Sequence, residues 1–172
     1  MQANNLFTAL HKHYTTDELL KFLKENKETH GNNDLMFVST GVSEQDFEKL
    51  QVLMESELVN NICVDVANGY SPYLIDFVKR IRAIYPDSLI IAGNVVTGDM
   101  CEDLLLNGAD IVKVGIGPGS VCTTRKLTGV GRPQFSTVVE CADAAHGVGG
   151  MICADGGCTV AGDLCKGFCA GA

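Results

Sequence analysis

The sequence predicts an α/β chain with a parallel sheet. The type is a (β/α)8 barrel, carrying about six of its eight strand–helix units across residues 1–172. Three observations carry this expectation. Apolar, β-rich runs alternate strictly with helical patterns, which argues for parallel strands joined by right-handed crossovers. The strands are continuously apolar, as in Leu89-Ile-Ile-Ala and Ile111-Val, as expected when both faces of a sheet are covered. An open, doubly wound sheet fits those two observations equally well. The third favours the barrel: polar residues cluster at the strand exits, where (β/α)8 barrels assemble their sites. They are His11-Lys12-His13, Ser39-Thr40, Asp65 with Asn68, Asn94, the loop after Val114, and Asp155-Gly156.

Taken in order, strands are expected to begin at Leu6, Met36, Ile62, Leu89, Ile111 and Met151. Helical patterns fill residues 16–27, 43–56, 72–85, 98–107, 134–146 and 161–170. Thr15 or Thr16 before Asp17-Glu18, and Ser43 before Glu44 and Asp46, suit the electropositive start of a helix. In the third helix Leu74, Ile75, Phe77, Val78, Ile81 and Ile84 form one apolar stripe, and Pro72 fits its first turn. The longest strand-to-strand interval, from Ile111 to Met151, holds a glycine-rich stretch, and extra loop length at one place usually marks function.

Six units are short of the eight, over roughly 250 residues, that a closed barrel needs. Asn107-Gly-Ala-Asp110 ends one helix and feeds a strand, whereas Ala170-Gly-Ala172 ends another where the sequence stops. Residues 1–172 are therefore expected to be a partial barrel-type catalytic domain with two exposed sheet edges.

Composition narrows the partners. The formal charge is -8 with no basic run, so nucleic acid is not an expected partner. No apolar run approaches the ~20 residues of a membrane span, and Met1-Gln-Ala-Asn-Asn5 lacks the basic start of a signal peptide. The expected location is cytoplasmic. Eight cysteines are present, of which Cys63, Cys101, Cys141 and Cys153 fall in apolar patterns, where a free thiol is a common core residue. Cys153, Cys158, Cys165 and Cys169 lack the paired C-x-x-C spacing of structural zinc; Cys165 and Cys169, four apart, are expected to pack on one helix face.

The most informative stretch is residues 113–125, Lys-Val-Gly-Ile-Gly-Pro-Gly-Ser-Val-Cys-Thr-Thr-Arg. Glycines admit positive φ and a close ligand. Successive N–H groups of such a loop can hold an anion, and its carbonyls can face a cation. Cys122 can act as a nucleophile if neighbouring donors or Arg125 lower its pKa. The plainer alternative is a glycine-rich turn holding an inert cysteine. No G-x-G-x-x-G opens a helix in a dinucleotide-binding arrangement, and His11, His13 and His146 lack ligand spacing.

This loop, with Lys126, Thr128-Gly-Val-Gly131 and Pro133-Gln134, resembles the active-site loop of the IMP dehydrogenase/GMP reductase family. Glu140-Cys-Ala-Asp-Ala-Ala-His-Gly147, Asp155-Gly-Gly-Cys-Thr159, Leu6-Phe-Thr-Ala-Leu-His-Lys-His-Tyr14 and Asp65-Val-Ala-Asn-Gly-Tyr70 resemble its reductase branch. The resemblance covers essentially the whole chain. It implies a strand before residue 1 and another after residue 172. It also implies NADPH-dependent reductive deamination of GMP to IMP and ammonia, in purine salvage, with homotetramers in the full-length family. Cys122 would attack purine C2 as the nucleophile and form a thioimidate. Thr124 would transfer protons with a glutamate from a downstream loop. Ser120, Asp155, Gly156 and Gly157 would contact the nucleotide. Lys12, Asp65, Val66, Ala67, Ile116 and Gly117 would contact NADPH. Gly117, Gly119, Cys122 and Arg125 would surround a monovalent cation, potassium in this family. Two alternatives stand beside this one: oxidation of IMP by the dehydrogenase branch, and an inactive chain that serves only as an interaction partner. For Asp155 the plainer alternative is a helix cap, and for Lys12 a solvated lysine at a strand end.

Overall fold

A computed structural model of the chain describes Met1 and residues 4–172. Six strands alternate with seven helices: β1 (Thr8–Leu10), α1 (Thr16–His30), β2 (Met36–Thr40), α2 (Glu44–Glu55), β3 (Asn61–Asp65), α3 (Pro72–Ile84), β4 (Ile90–Val95), α4 (Gly98–Leu106), β5 (Ile111–Val114), α5 (Thr124–Thr128), α6 (Gln134–Gly147), β6 (Met151–Ala154) and α7 (Ala161–Cys169). Every strand pairs in parallel with its sequence neighbours, in the order β1-β2-β3-β4-β5-β6. A doubly wound sheet would reverse direction at a switch point. The unbroken order is that of a barrel wall, and the sheet curls accordingly. Phe7, beside β1, lines one groove with Ile91, Ile111, Met151 and Cys153 of the far strands. This is an incomplete (β/α)8 barrel, with β1 and β6 as its edges.

Alternation along the strands sorts side chains onto two faces. Ile62 and Val64 of β3, Ile90 and Ala92 of β4, and Val112 and Val114 of β5 are fully buried in the main apolar cluster. They meet Leu19 and Leu23 of α1, Leu74, Val78 and Ile81 of α3, Cys101 and Leu104 of α4, and Cys141 and Ala145 of α6. The core thus lies between sheet and helices. The opposite face, carrying Phe37, Cys63, Asp65, Ile91, Lys113 and Cys153, lines the barrel interior, so strand exits deliver polar groups to one rim.

Local signals account for the helices. Thr15 accepts the N–H of Glu18 while Glu18 reaches back to the N–H of Thr15, and Ser43 and Asp46 repeat this reciprocal cap on α2. Pro72 occupies the first turn of α3, and its buried stripe is Leu74, Phe77, Val78 and Ile81. Ile84, read as part of that stripe, is exposed at the last turn. Arg82, on the same helix, ties three segments together. It donates to the carbonyls of Gly108 (2.9 Å), Pro86 (2.8 Å) and Ser88 (2.8 Å), and to Asp110 (2.6 Å), whose same oxygen accepts the N–H of Ile90.

Several expectations are corrected. β1 begins at Thr8 rather than Leu6, and the short helix α5 lies inside the stretch read as loop. Cys63, Cys101 and Cys141 are buried as expected, but Cys153 is exposed, because its strand position turns it toward the barrel interior beside the edge. Cys165 and Cys169 are exposed rather than packed, since α7 buries none of its residues. No helix among the described residues is long and apolar enough to cross a membrane.

Candidate active site

The strand exits build a chain of charges across the rim. β5 positions Lys113 on the inward face, where its ammonium pairs with Asp65 at the end of β3 and with Asp155 (2.9 Å), the residue after β6. Lys12, just past β1, donates to the carbonyl of Asp65 (2.6 Å) and lies 3.5 Å from its carboxylate. Asn94 of β4 donates to Asp155 Oδ2 (2.8 Å) and to the carbonyl of Gly115 (2.7 Å). Five exits therefore meet through Lys12, Asp65, Asn94, Lys113 and Asp155. Asp155 is no helix cap: α7 begins six residues later, and Asp163 accepts the N–H of Thr159 (3.0 Å) at its start.

Burial alone would lower the pKa of Lys113, but hydrogen bonds and charge from Asp65 and Asp155 outweigh it and push the ammonium up to about 12. Burial would likewise raise Asp65, and Lys113, then Lys12, hold its carboxyl below the ordinary 3.8. The lysine contribution, about 2 kcal/mol for a rise from 10.5, is fully present below 10.5 and fades only as pH climbs through about 12. The Asp65 contribution is present above 3.8 and fades as pH falls through its lower folded value. The plateau thus runs from about 4 to about 10.5. Asp65→Asn should unfold at lower urea than the parent at pH 7, and the two midpoints should converge in acid; a constant gap down to pH 2 would contradict this linkage.

The thiol stands on the loop after β5. Cys122 is half-buried, and its S–H donates to Thr124 Oγ1 at 3.3 Å. The Thr124 hydroxyl, then its backbone N–H, and more weakly the charge of Arg125 hold the thiol below its ordinary 9.0. Two arginines fasten the loop from beneath. Arg125 donates to the carbonyls of Ile116 (3.3 Å) and Arg132. Arg132 pairs with Glu140 and donates to the carbonyl of Val96 (2.9 Å), while Glu140 also accepts the N–H of Gly98 (3.0 Å). Gly156 and Gly157 have φ of 82° and 81°, in the left-handed region. A Cβ on Gly156 would lie 3.3 Å from the Gly119 nitrogen and from Pro118. Bare glycine thus lets the exit of β6 dock against the thiol loop.

The expected site residues fall into two groups. Lys12, Asp65, Asp155, Gly156 and Gly157 share the rim. Gly117, Gly119, Ser120, Cys122, Thr124 and Arg125 share the loop above it. Val66 is spent on the sheet, with its N–H on Gly93 (2.9 Å) and its carbonyl on Asn94 (2.9 Å), while Ala67 is exposed beyond it. Ile116 is buried, with its carbonyl on Arg125. The carbonyls of Gly119 and Arg125 each accept a backbone N–H, from Cys122 (3.0 Å) and Gly129 (3.2 Å).

Residues 7–172 match the family model described as IMP dehydrogenase / GMP reductase domain. The chain belongs to the IMP dehydrogenase/GMP reductase family. Its relatives include proteins named GMP reductase. That of Vibrio campbellii is 57% identical over 170 residues, covering 98% of this chain and 48% of the relative. Those of Vibrio atlanticus and Klebsiella pneumoniae are each 58% identical, over 98% and 97% of this chain and 48% of the relative. The chain spans about half the length of these curated family members.

Reading the sequence leaves Lys113, Arg132 and Glu140 without a role in this family site. Lys113 carried a usable signal: a lysine inside Ile111-Val-Lys-Val, a strand otherwise apolar, requires a buried partner. Arg132 and Glu140 gave none, because their pairing depends on where the loop returns to α6.

Proposed function

We propose that this chain carries the thiol-bearing part of a GMP reductase site. There NADPH-dependent reductive deamination converts GMP to IMP and ammonia. The observation that carries the reading is the Cys122–Thr124 pair, a thiol held below its ordinary pKa on the loop above a rim of lysine-paired carboxylates. The GMP reductase name of the relatives supports GMP as the substrate.

In this reading Asp155 accepts from ribose hydroxyls, and Gly156, Gly157 and Ser120 let the nucleotide lie close to the backbone. The Cys122 thiolate adds to purine C2; the C2–N bond breaks with protonation of nitrogen, ammonia departs, and a thioimidate remains. NADPH, when bound, supplies the hydride that reduces C2. The C–S bond then breaks, IMP leaves and the thiolate returns. Net, GMP, NADPH and two protons give IMP, NADP+ and ammonium. Thr124 holds the proton relay beside the sulfur.

The residues present suit the cofactor. Lys12 and Asp65 offer a cation and an acceptor at the exits of β1 and β3, with Val66 and Ala67 following β3 and Ile116 and Gly117 at the start of the thiol loop. They also suit a monovalent cation at backbone oxygens of Gly117, Gly119, Cys122 and Arg125, since each singly bonded carbonyl retains a lone pair. The Arg125 guanidinium offers no lone pair, so this residue can serve only through its carbonyl.

One observation favours a second reading, nucleotide binding without turnover. Among the described residues Thr124 Oγ1 is paired only with Cys122, so no carboxylate completes a base. GMP added to the chain with NADPH and potassium should deplete NADPH absorbance and yield IMP. Binding with no depletion would favour the second reading, and no binding of GMP would remove both.

A further inference from the structure

Lys113 is a charge in the barrel wall that no step above uses. Its side chain is 18% exposed, and it joins two carboxylates that the reading above assigns to different ligands. Asp65 sits with Lys12 on the cofactor side, and Asp155 sits with Asn94 and Gly156 on the nucleotide side. We propose that Lys113 is a positioning residue that binds these two carboxylates into one ionised unit, so that nucleotide and dinucleotide binding both depend on it. The inference rests on the proposed reductase reading for the identity of the two ligands.

The geometry supports a bridging role. Asp155 Oδ2 accepts from both Lys113 and the Asn94 amide, and among the described residues Oδ1 has no partner. Fixing one oxygen leaves the other as the acceptor for an incoming hydroxyl. Asn94 is 8% exposed and uncharged, so its amide donates to the carboxylate without offsetting its charge. Other titratable groups facing Lys113 are the thiols of Cys63 on β3, pushed up by burial, and Cys153 on β6, pushed up by desolvation among its protein neighbours and by the charge of Asp155, so both are neutral near pH 7. Lys12 pairs with Asp65 and, among the described residues, not with Asp155. Among the described residues Lys113 is thus the one cation paired with Asp155. Without it, two carboxylates converging on one site would repel and lose their fixed orientation toward the incoming ligands.

The test uses the 172-residue chain, with carbon-13 carboxyl NMR titration of Asp65 and calorimetry of GMP and of NADPH binding. Lys113→Met should raise the Asp65 midpoint and weaken both ligands by about tenfold or more at pH 7. Lys113→Arg, which keeps the charge, should restore that midpoint and most of the affinity for both ligands. Should Lys113→Met not fold, Lys113→Gln carries the same expectation with a hydrogen-bonding side chain. An Asp65 midpoint left unmoved, or the affinity of either ligand unchanged while that midpoint rises, would overturn the proposal. If the parent chain binds neither ligand, the reductase reading falls, whereas the Asp65 midpoint in Lys113→Met still decides whether the bridge exists.

Discussion

Iodoacetamide should alkylate Cys122 ahead of the exposed Cys165 and Cys169 near neutral pH. The attacking species is the thiolate, and Thr124 stabilises it through its hydroxyl and its backbone N–H, with Arg125 adding charge. Peptide mapping after brief labelling reads the order directly. Thr124→Val removes the hydroxyl but keeps the backbone N–H, so labelling at Cys122 should slow without stopping. GMP should protect Cys122 alone. If the reductase reading holds, Cys122→Ala lowers turnover by at least about a thousandfold, because no other group takes over a covalent step. Labelling of Cys122 no faster than Cys165, unaffected by GMP, would count against a nucleophilic thiol.

Gly93→Ala should destabilise the chain by about 3 kcal/mol, near the upper end for overpacking. A Cβ at this position would lie 2.7 Å from the Lys113 Cβ and even closer to the Lys113 carbonyl. Neither neighbour is the end of a flexible side chain, so β4 and β5 would have to separate. Gly93 pairs directly with Lys113 in the register, and with Asp65 on its other side. The substitution would therefore disturb the bridge as well as the sheet. Urea unfolding gives the loss, and the Asp65 carboxyl midpoint should rise with it. A loss under about 1 kcal/mol would mean that the strands absorb the methyl without parting.

Much of this architecture can be read before any coordinates. Continuous apolar runs locate β2, β5 and β6 at their first residues, Met36, Ile111 and Met151. Reciprocal caps at Thr15 and Ser43 and the proline at 72 mark three helix starts. The polar strand exits lie on one rim, as the choice of a barrel over an open sheet requires. What escapes the sequence is of two kinds. Helix α5 buries nothing, so it has no apolar period to betray it. The partners of Lys113 lie at the exits of other strands, and those of Arg125 and Arg132 depend on how the thiol loop folds back toward α6. Cys153 shows the same limit. An apolar run says that a strand is covered, but not that one face looks into an interior open at its edge.

The thiol loop is fastened by two arginines through main-chain carbonyls and a single glutamate, while Val121 is 93% exposed and Leu127 is 79% exposed. Side chains between these anchors contribute little to the scaffold. Natural variants could therefore drift in this segment, retuning sulfur chemistry without melting the wall beneath. Robustness and reactivity become separately adjustable traits, and a library randomised at residues 120–121 and 126–127 should remain largely folded while differing in thiol reactivity.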